Sequence, residues 1–391
     1  MKLTLREHLS QFSQLLQGEL FPILEERTGK LDGPAKRLVA ILALIPLSRF
    51  VPVCGHWIGR PSKDRLALAS AFVAKAVYGF GLTRQLLERL QQDAQLRQIC
   101  GWRNARQVPH ESTFSRAFAE FADMELPQLV HEALVADTQK ERLIGHIARD
   151  STAINAHEKL PASARKAAIE KTSPKARRKP GPKNGSRGAH KRWKGGQPQR
   201  DCRLHRQRSM NLAEMLQELP TECSIGAKKN SQGIEQYWRG YKLHLDVADG
   251  QIPISAILTS ARVHDSQVAI PLSTITAQRV TSLYDLMDAA YDAREIKEHS
   301  QSLGHVPIIA SANRLGKKIL FQNGREPARQ LSWAEQDRFE TRTMVERVYA
   351  RLKEEFGGRQ VRVRGPKKVM AHLMFGLLAL TADQVQKLIA T

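Results

Sequence analysis

Cysteine is scarce, with 4 in 391 residues. Cys54, Cys100, Cys202 and Cys223 are scattered, which argues against a disulfide framework. Cys202 and His205 form one C-x-x-H pair, with His190 and Cys223 as candidate companions, but the paired ligand spacing of a zinc site is missing. Long apolar runs are also lacking. The longest, 38–47 and 373–382, are too short to span a bilayer. The opening MKLTLREHLS carries charge and no apolar core, so no secretory leader is expected. Acidic residues are in deficit, 39 against 61 Lys and Arg, for a formal charge of +22. That balance points to a polyanionic partner, with nucleic acid preferred over an anionic membrane surface. A cytoplasmic protein acting at the bacterial nucleoid is expected, with no membrane association.

The length suits two or three domains. Residues 1–140 read as helical, with apolar residues at intervals of three and four. SKDRLALASAFVAKAVYGF reads as a helix capped by Ser62, and LTRQLLERLQQDAQLRQICGW as one amphipathic helix ending near Gly101. Pro109 then breaks the chain, and Glu111 or Ser112 opens a helix with Phe114, Phe118 and Phe121 as its apolar stripe. Arg103, Arg106 and Arg116 remain for the other face. Helix, short turn and helix fit either helix-turn-helix docking on DNA or a plain helical hairpin.

The character changes at 141–155, where IGHIA reads as a buried strand ending at Asp150. Between Ala162 and Arg208 stand sixteen Lys or Arg and two acids, punctuated by Pro and Gly. Such a stretch cannot pack a core. A basic, flexible insertion is expected over about 159–235, either a solvated linker or, as we prefer, a DNA clamp. Within it, Lys191, Arg192 and Trp193 are candidates for contact with phosphate and base. From 239 the pattern is α/β. A hairpin turns at Asp249-Gly250, and a helix follows that is capped near Asp265 or Ser266. Next come a strand ending at Asp288, a short helix and the strand HVPIIASA. A final apolar helix, AHLMFGLLALTADQVQKL, is expected to complete the core.

The segment DRFETRTMVERVYARLKEEFGG reads as one helix. Phe339, Arg342, Glu346 and Lys353 recur at intervals of three, four and seven, which places them on one face. A ring, two cations and a carboxylate on one face suit a DNA end held at a metal site, although a solvated helix with ion pairs has the same look. Asp150 and Asp288 supply two further carboxylates at strand ends. Two-metal phosphoryl transfer needs carboxylates that converge from separate elements on ions about 3.5–4 Å apart. Asp265 is the rival for the middle position, with helix capping as its ordinary role.

These residues resemble the bacterial insertion-sequence transposases of the DDE class. The matching text is ARDSTAINAH around Asp150, DLMDAAYDA around Asp288 and FETRTMVERVYARLK around Glu346. The helical N-terminal text, with ESTFSRAF, is similar as well. The family's signature near its third carboxylate is Tyr, two residues, Arg, three residues, Glu, six residues, Lys. Phe339 stands where Tyr is usual, keeping the ring and losing the hydroxyl. The interval from Asp288 to Glu346 leaves no room for the β-rich insertion domain of some relatives.

The resemblance implies an RNase H-like mixed sheet flanked by helices over 141–391, after an all-α domain over 1–140 for DNA binding or dimerisation. It implies Asp150, Asp288 and Glu346 as catalytic metal ligands for two Mg²⁺ ions, with Mn²⁺ as a substitute. Phe339, Arg342 and Lys353 would contact DNA at the cleaved end. The partners implied are the element's terminal inverted repeats and target DNA, bound by a homodimer. The implied activity is DNA cleavage and strand transfer. The alternatives are a nuclease without strand transfer, an inactive DNA-binding regulator and a basic RNA-binding protein; the last explains the charge and not the carboxylates.

Overall fold

The computed structural model describes residues 11–12, 14–51, 63–159, 203–229, 234–310 and 331–390. Ser62, Cys54, Cys202 and the candidates His190, Lys191, Arg192 and Trp193 lie outside them.

Among the described residues, seven α-helices come first: α1 (Phe21–Thr28), α2 (Gly33–Leu44), α3 (Arg65–Val77), α4 (Thr83–Gln92), α5 (Ala94–Ile99), α6 (Glu111–Asp123) and α7 (Leu126–Gln139). Asp64 caps α3, its carboxylate accepting from the Leu66 and Ala67 N–H groups. The single helix expected after residue 82 is two. Asp93 leaves helical geometry and accepts from Leu96 N–H, which ends α4 and starts α5. The α6 stripe is core as expected, with Phe114, Phe118 and Phe121 all packed around Phe72 of α3. The link from Ile99 to Glu111 is longer than the turn of about three to four residues in a helix-turn-helix. It is held by buried Trp102 against Phe114 and by Asn104, which accepts from Gln107 N–H.

The sheet begins with β1 (Leu143–Asn155). After it come α8 (Arg203–Gln207), α9 (Leu212–Glu218), β2 (Ser224–Lys229), β3 (Glu235–Ala248), β4 (Ile252–Ser260), α10 (Ser266–Arg279), β5 (Thr281–Met287), α11 (Arg294–Ser302) and β6 (Val306–Ile309). The chain closes with α12 (Trp333–Glu340), α13 (Thr343–Glu354) and α14 (Pro366–Ala390). β3 pairs antiparallel with β1 on one side and with β4 on the other, while β5 is parallel to β1 and β6 to β5. This is the expected RNase H-like mixed sheet. The expected insertion is narrower than 159–235, because residues 203–229 form two helices and a strand. β2 pairs with β3, so backbone hydrogen bonds tie it into the sheet.

One cluster of buried side chains joins Leu38 of α2, Phe72 of α3, Phe121 of α6 and Leu134 of α7 to Leu243 and Leu245 of β3, Leu352 of α13 and the middle of α14. α14 is apolar nearly all round, and a helix of that kind is stable only when buried. It contacts α3, α6, α7 and β4, so it completes the core as expected. The opposite face of the sheet packs on α10, where Val268 and Leu272 meet Ile257. No helix among the described residues is long and apolar enough to cross a membrane. Cys100 and Cys223 are free and buried.

Candidate active site

Asp150 lies within β1 rather than at its end. β3 keeps β1 extended as far as Asn155 opposite Gly240, whereas parallel pairing with β5 stops at Arg149 opposite Met287. Asp150 therefore sits where β5 leaves the sheet. Asp288 is the first residue beyond β5 and caps a short 3-10 turn by accepting from Ala290 N–H. Residues in register on parallel strands face the same way. Arg149 and Met287 share one face, with Arg149 Nη1 donating to Met287 Sδ at 3.3 Å. The next residues, Asp150 and Asp288, share the other face, toward α13.

Burial pushes the Asp150 carboxyl up to about 6, and Asp288 adds to the rise, against the pull of the Ser151 N–H, Arg342 and Lys228. Arg342 joins the third carboxylate to this pair. Its Nη1 lies 3.5 Å from Asp150 Oδ2, and its Nη2 donates to Glu346 Oε1 at 3.2 Å. Lys353 Nζ donates to Thr152 Oγ1 at 2.7 Å, two residues along β1 on the Asp150 face. Burial lowers its ammonium pKa, and Arg359 and Lys228 lower it further.

The single helix expected across 333–354 is broken. Thr341 Oγ1 donates to the Arg338 carbonyl and Thr343 Oγ1 to the Glu340 carbonyl, while successive N–H groups bond three residues back rather than four. Hydroxyl side chains compete for the backbone in this way and tighten a turn. Phe339 therefore lies in the last turn of α12, Arg342 sits at the junction, and Glu346 and Lys353 ride on α13. The break does not scatter them, since the Arg342 guanidinium stands 5.6 Å from the centre of the Phe339 ring.

Asp265 does not cap α10 with its side chain. It accepts from Ser151 Oγ at 2.8 Å and from Lys242 Nζ at 2.9 Å. Burial pushes its carboxyl up, but His244, Lys242 and Ser151 outweigh that and hold it below the ordinary value. Because Ser151 alternates with Asp150, Asp265 belongs to the α10 face and not to the face that Asp150 shares with Asp288. Tyr291 is buried among Ala269, Met287 and Ile296, which fits packing beneath the site; among the described residues its hydroxyl has no hydrogen-bond partner. Arg103, Arg106 and Arg116 are exposed on α6 and the turn before it, and among the described residues none bonds to the carboxylate site.

Among the described residues, no three His, Cys, Asp or Glu side chains stand close enough together to ligate one ion. The donor chemistry of Asp150 and Asp288 nevertheless suits a hard divalent cation: oxygen atoms only, on two carboxylates whose repulsion a cation relieves. Glu346 is engaged by Arg342. Sequence reasoning missed Lys228, whose charge acts on Asp150, and a set on the opposite face of β1. Lys228 was hidden in the presumed insertion, and the Ser151–Asp265–Lys242 set depends on register that a single sequence does not display.

A mixed sheet flanked by helices, with Asp150 and Asp288 at the end of its parallel strands, is the arrangement expected of an RNase H-like domain. The family model described as a transposase DDE domain matches residues 141–382, more than half of the chain, and the chain belongs to that family. A second model, described as a transposase domain, matches residues 25–120. Searches of curated proteins and of solved structures returned no match. The protein is a transposase of the DDE family, a class of enzyme that acts on DNA.

Proposed function

We propose that the protein cleaves DNA at the ends of an insertion sequence and joins the freed ends to target DNA, with Asp150, Asp288 and Glu346 as its catalytic carboxylates. The observation that supports the reading is that Asp150 and Asp288 each directly follow the last β1–β5 pair, Arg149 opposite Met287, and that Arg342 links Asp150 to Glu346.

Asp150 and Asp288, completed by Glu346, would hold Mg²⁺, with Mn²⁺ as a substitute and two ions in the full site. The cation supplies charge that stabilises the entering and leaving oxygens of an in-line displacement. This chain's own side chains then orient the substrate. A phosphate placed at Arg342 offers the guanidinium a bidentate partner and would release Glu346 from it. Lys353, held by Thr152, meets a phosphate as a point charge. Phe339 offers a face on which a base can stack. Arg103, Arg106 and Arg116 add exposed positive charge for DNA outside the site, and Lys191, Arg192 and Trp193 belong to the same proposal. Residues 1–140 would serve DNA binding and dimerisation and 141–391 catalysis, with a homodimer holding two element ends at the bacterial nucleoid.

The test uses purified full-length protein, a labelled duplex ending in the DNA that flanks the coding sequence, a target plasmid and Mg²⁺. Cleavage and joining are expected from the wild type, and neither from Asp288→Asn, which should still bind the duplex. Cleavage without joining would leave a nuclease. Binding without chemistry in either Mg²⁺ or Mn²⁺ would leave a DNA-binding regulator, and full activity of Asp288→Asn would remove that residue from the site.

A further inference from the structure

Past Arg149, β1 loses one of its two neighbours. Its parallel pairing with β5 stops opposite Met287, and among the described residues 150–155 pair only with β3. A strand segment bonded on one side opens more readily than one bonded on both, yet this segment carries Asp150. Side chains from both layers of helices make up the difference. From α13, the Tyr349 hydroxyl donates to the Asp150 carbonyl at 2.6 Å and Lys353 Nζ donates to Thr152 Oγ1 at 2.7 Å. From the opposite face, Asp265 Oδ1 accepts from Ser151 Oγ at 2.8 Å.

Asp265 is itself fixed. Lys242 of β3 stands opposite Ala153, on the same face as Ser151, and its Nζ donates to both Asp265 Oδ1 and the Val263 carbonyl, each at 2.9 Å. Val263 and Val268, on either side of Asp265 in the chain, are buried with Ile257 and Leu272. The other end of the linkage reaches the carboxylate, because the Ser151 N–H donates to Asp150 Oδ1 at 2.7 Å. Lys242, Asp265 and Ser151 thus form a continuous series of contacts that ends on Asp150. We propose that Asp265 is a positioning residue: through Ser151 it fixes the Asp150 carboxylate for the divalent cation, in place of the strand neighbour that β5 no longer supplies. This rests on the reading of Asp150 as a metal ligand, and it gives Asp265 a role outside the ligand set. Groups that orient a metal ligand commonly change metal affinity 10- to 100-fold when removed.

The experiment measures Mn²⁺ uptake by the full chain without DNA, from the loss of the free-ion electron paramagnetic resonance signal, beside thermal unfolding. Ser151→Ala and Asp265→Ala should each weaken Mn²⁺ binding about tenfold. The double variant should be no weaker than either single one, because both remove the same linkage. Ser151→Thr keeps the hydroxyl and should bind as the wild type does. Both bonds to Asp265 fall on one oxygen, so Asp265→Asn, whose amide oxygen can accept both, should stay near the wild type. Ser151→Ala removes a single hydroxyl and should unfold close to the wild-type temperature, so it decides the question even if Asp265→Ala does not fold. Wild-type Mn²⁺ affinity in Ser151→Ala, or losses that multiply in the double variant, overturns the proposal while leaving Asp150 as a ligand. A loss in Asp265→Asn as large as that in Asp150→Asn makes Asp265 a ligand and overturns it too. A wild type that takes up no Mn²⁺ overturns both readings.

Discussion

The Tyr349 hydroxyl donates to the Asp150 carbonyl oxygen at 2.6 Å and lies 3.2 Å from the Leu243 carbonyl oxygen. It fastens the helix carrying Glu346 to the strand carrying Asp150 through the Asp150 backbone. Glu346 is one turn before Tyr349 on α13, so the hydroxyl sets how far the third carboxylate stands from the first.

Tyr349→Phe keeps the ring in the core and removes both bonds. It should cost about 1 kcal/mol of stability, with a larger loss in DNA cleavage than in DNA binding. Urea unfolding and single-turnover cleavage read the two effects separately. Equal losses in cleavage and binding would mean the bond is structural and does not set the carboxylate spacing.

Arg149 and Asp246 form a fully buried ion pair on the α10 face, two bonds at 2.8 and 2.7 Å, with Thr276 Oγ1 donating to Asp246 as well. Arg149→Leu would strand the carboxylate in the core and should cost about 3–5 kcal/mol. The double variant Arg149→Leu, Asp246→Leu should recover most of that loss. Measured unfolding energies that simply add across the two sites would rule out the coupling.

Stability should depend on pH in two windows. Burial lowers His131 and His372 to about 3 and His244 to about 4, so all three are neutral in the fold at pH values where the unfolded chain takes up protons. The folded values are depressed, so stability is full above the unfolded value of about 6.5 and is lost as pH falls toward 3. At pH 5 each histidine removes about 2 kcal/mol. Burial also lowers Lys75 to about 8; its ammonium has no hydrogen-bond or ion-pair partner among the described residues, and it lies among Phe72, Phe118, Phe356 and Phe375. Below pH 8 the fold carries that charge at a cost, and stability rises between about 8 and 10.5 as the unfolded chain alone stays protonated. Lys75→Met should therefore raise the unfolding midpoint at pH 7 and raise it less above pH 10. A midpoint that is flat from pH 7 to pH 5, or lowered by Lys75→Met, would contradict these assignments.

Much of the fold was legible locally. The alternation in 239–260 marks the β3–β4 hairpin, the apolar run after 371 marks a buried helix, and Asp288 directly follows a strand because turn residues come directly after it. The motif around Glu346 has local spacing, whereas Asp150 and Asp288 stood out in the sequence only through strand-end placement and resemblance to a known family. The sequence by itself determined which side chains the site has to work with, since periodicity, capping and turn chemistry act over a few residues. Tertiary structure decided how those side chains are combined. Strand register put Asp150 beside Asp288 and sent Asp265 to the other face. Threonine hydroxyls broke the expected helix at Arg342, whose guanidinium then reaches two carboxylates. Pairing with β3 drew residues 224–229 out of a presumed linker and into the sheet. Each of these outcomes depends on which distant backbone a segment pairs with, and that choice is set by burial and hydrogen bonding across the whole chain rather than by the residues on either side.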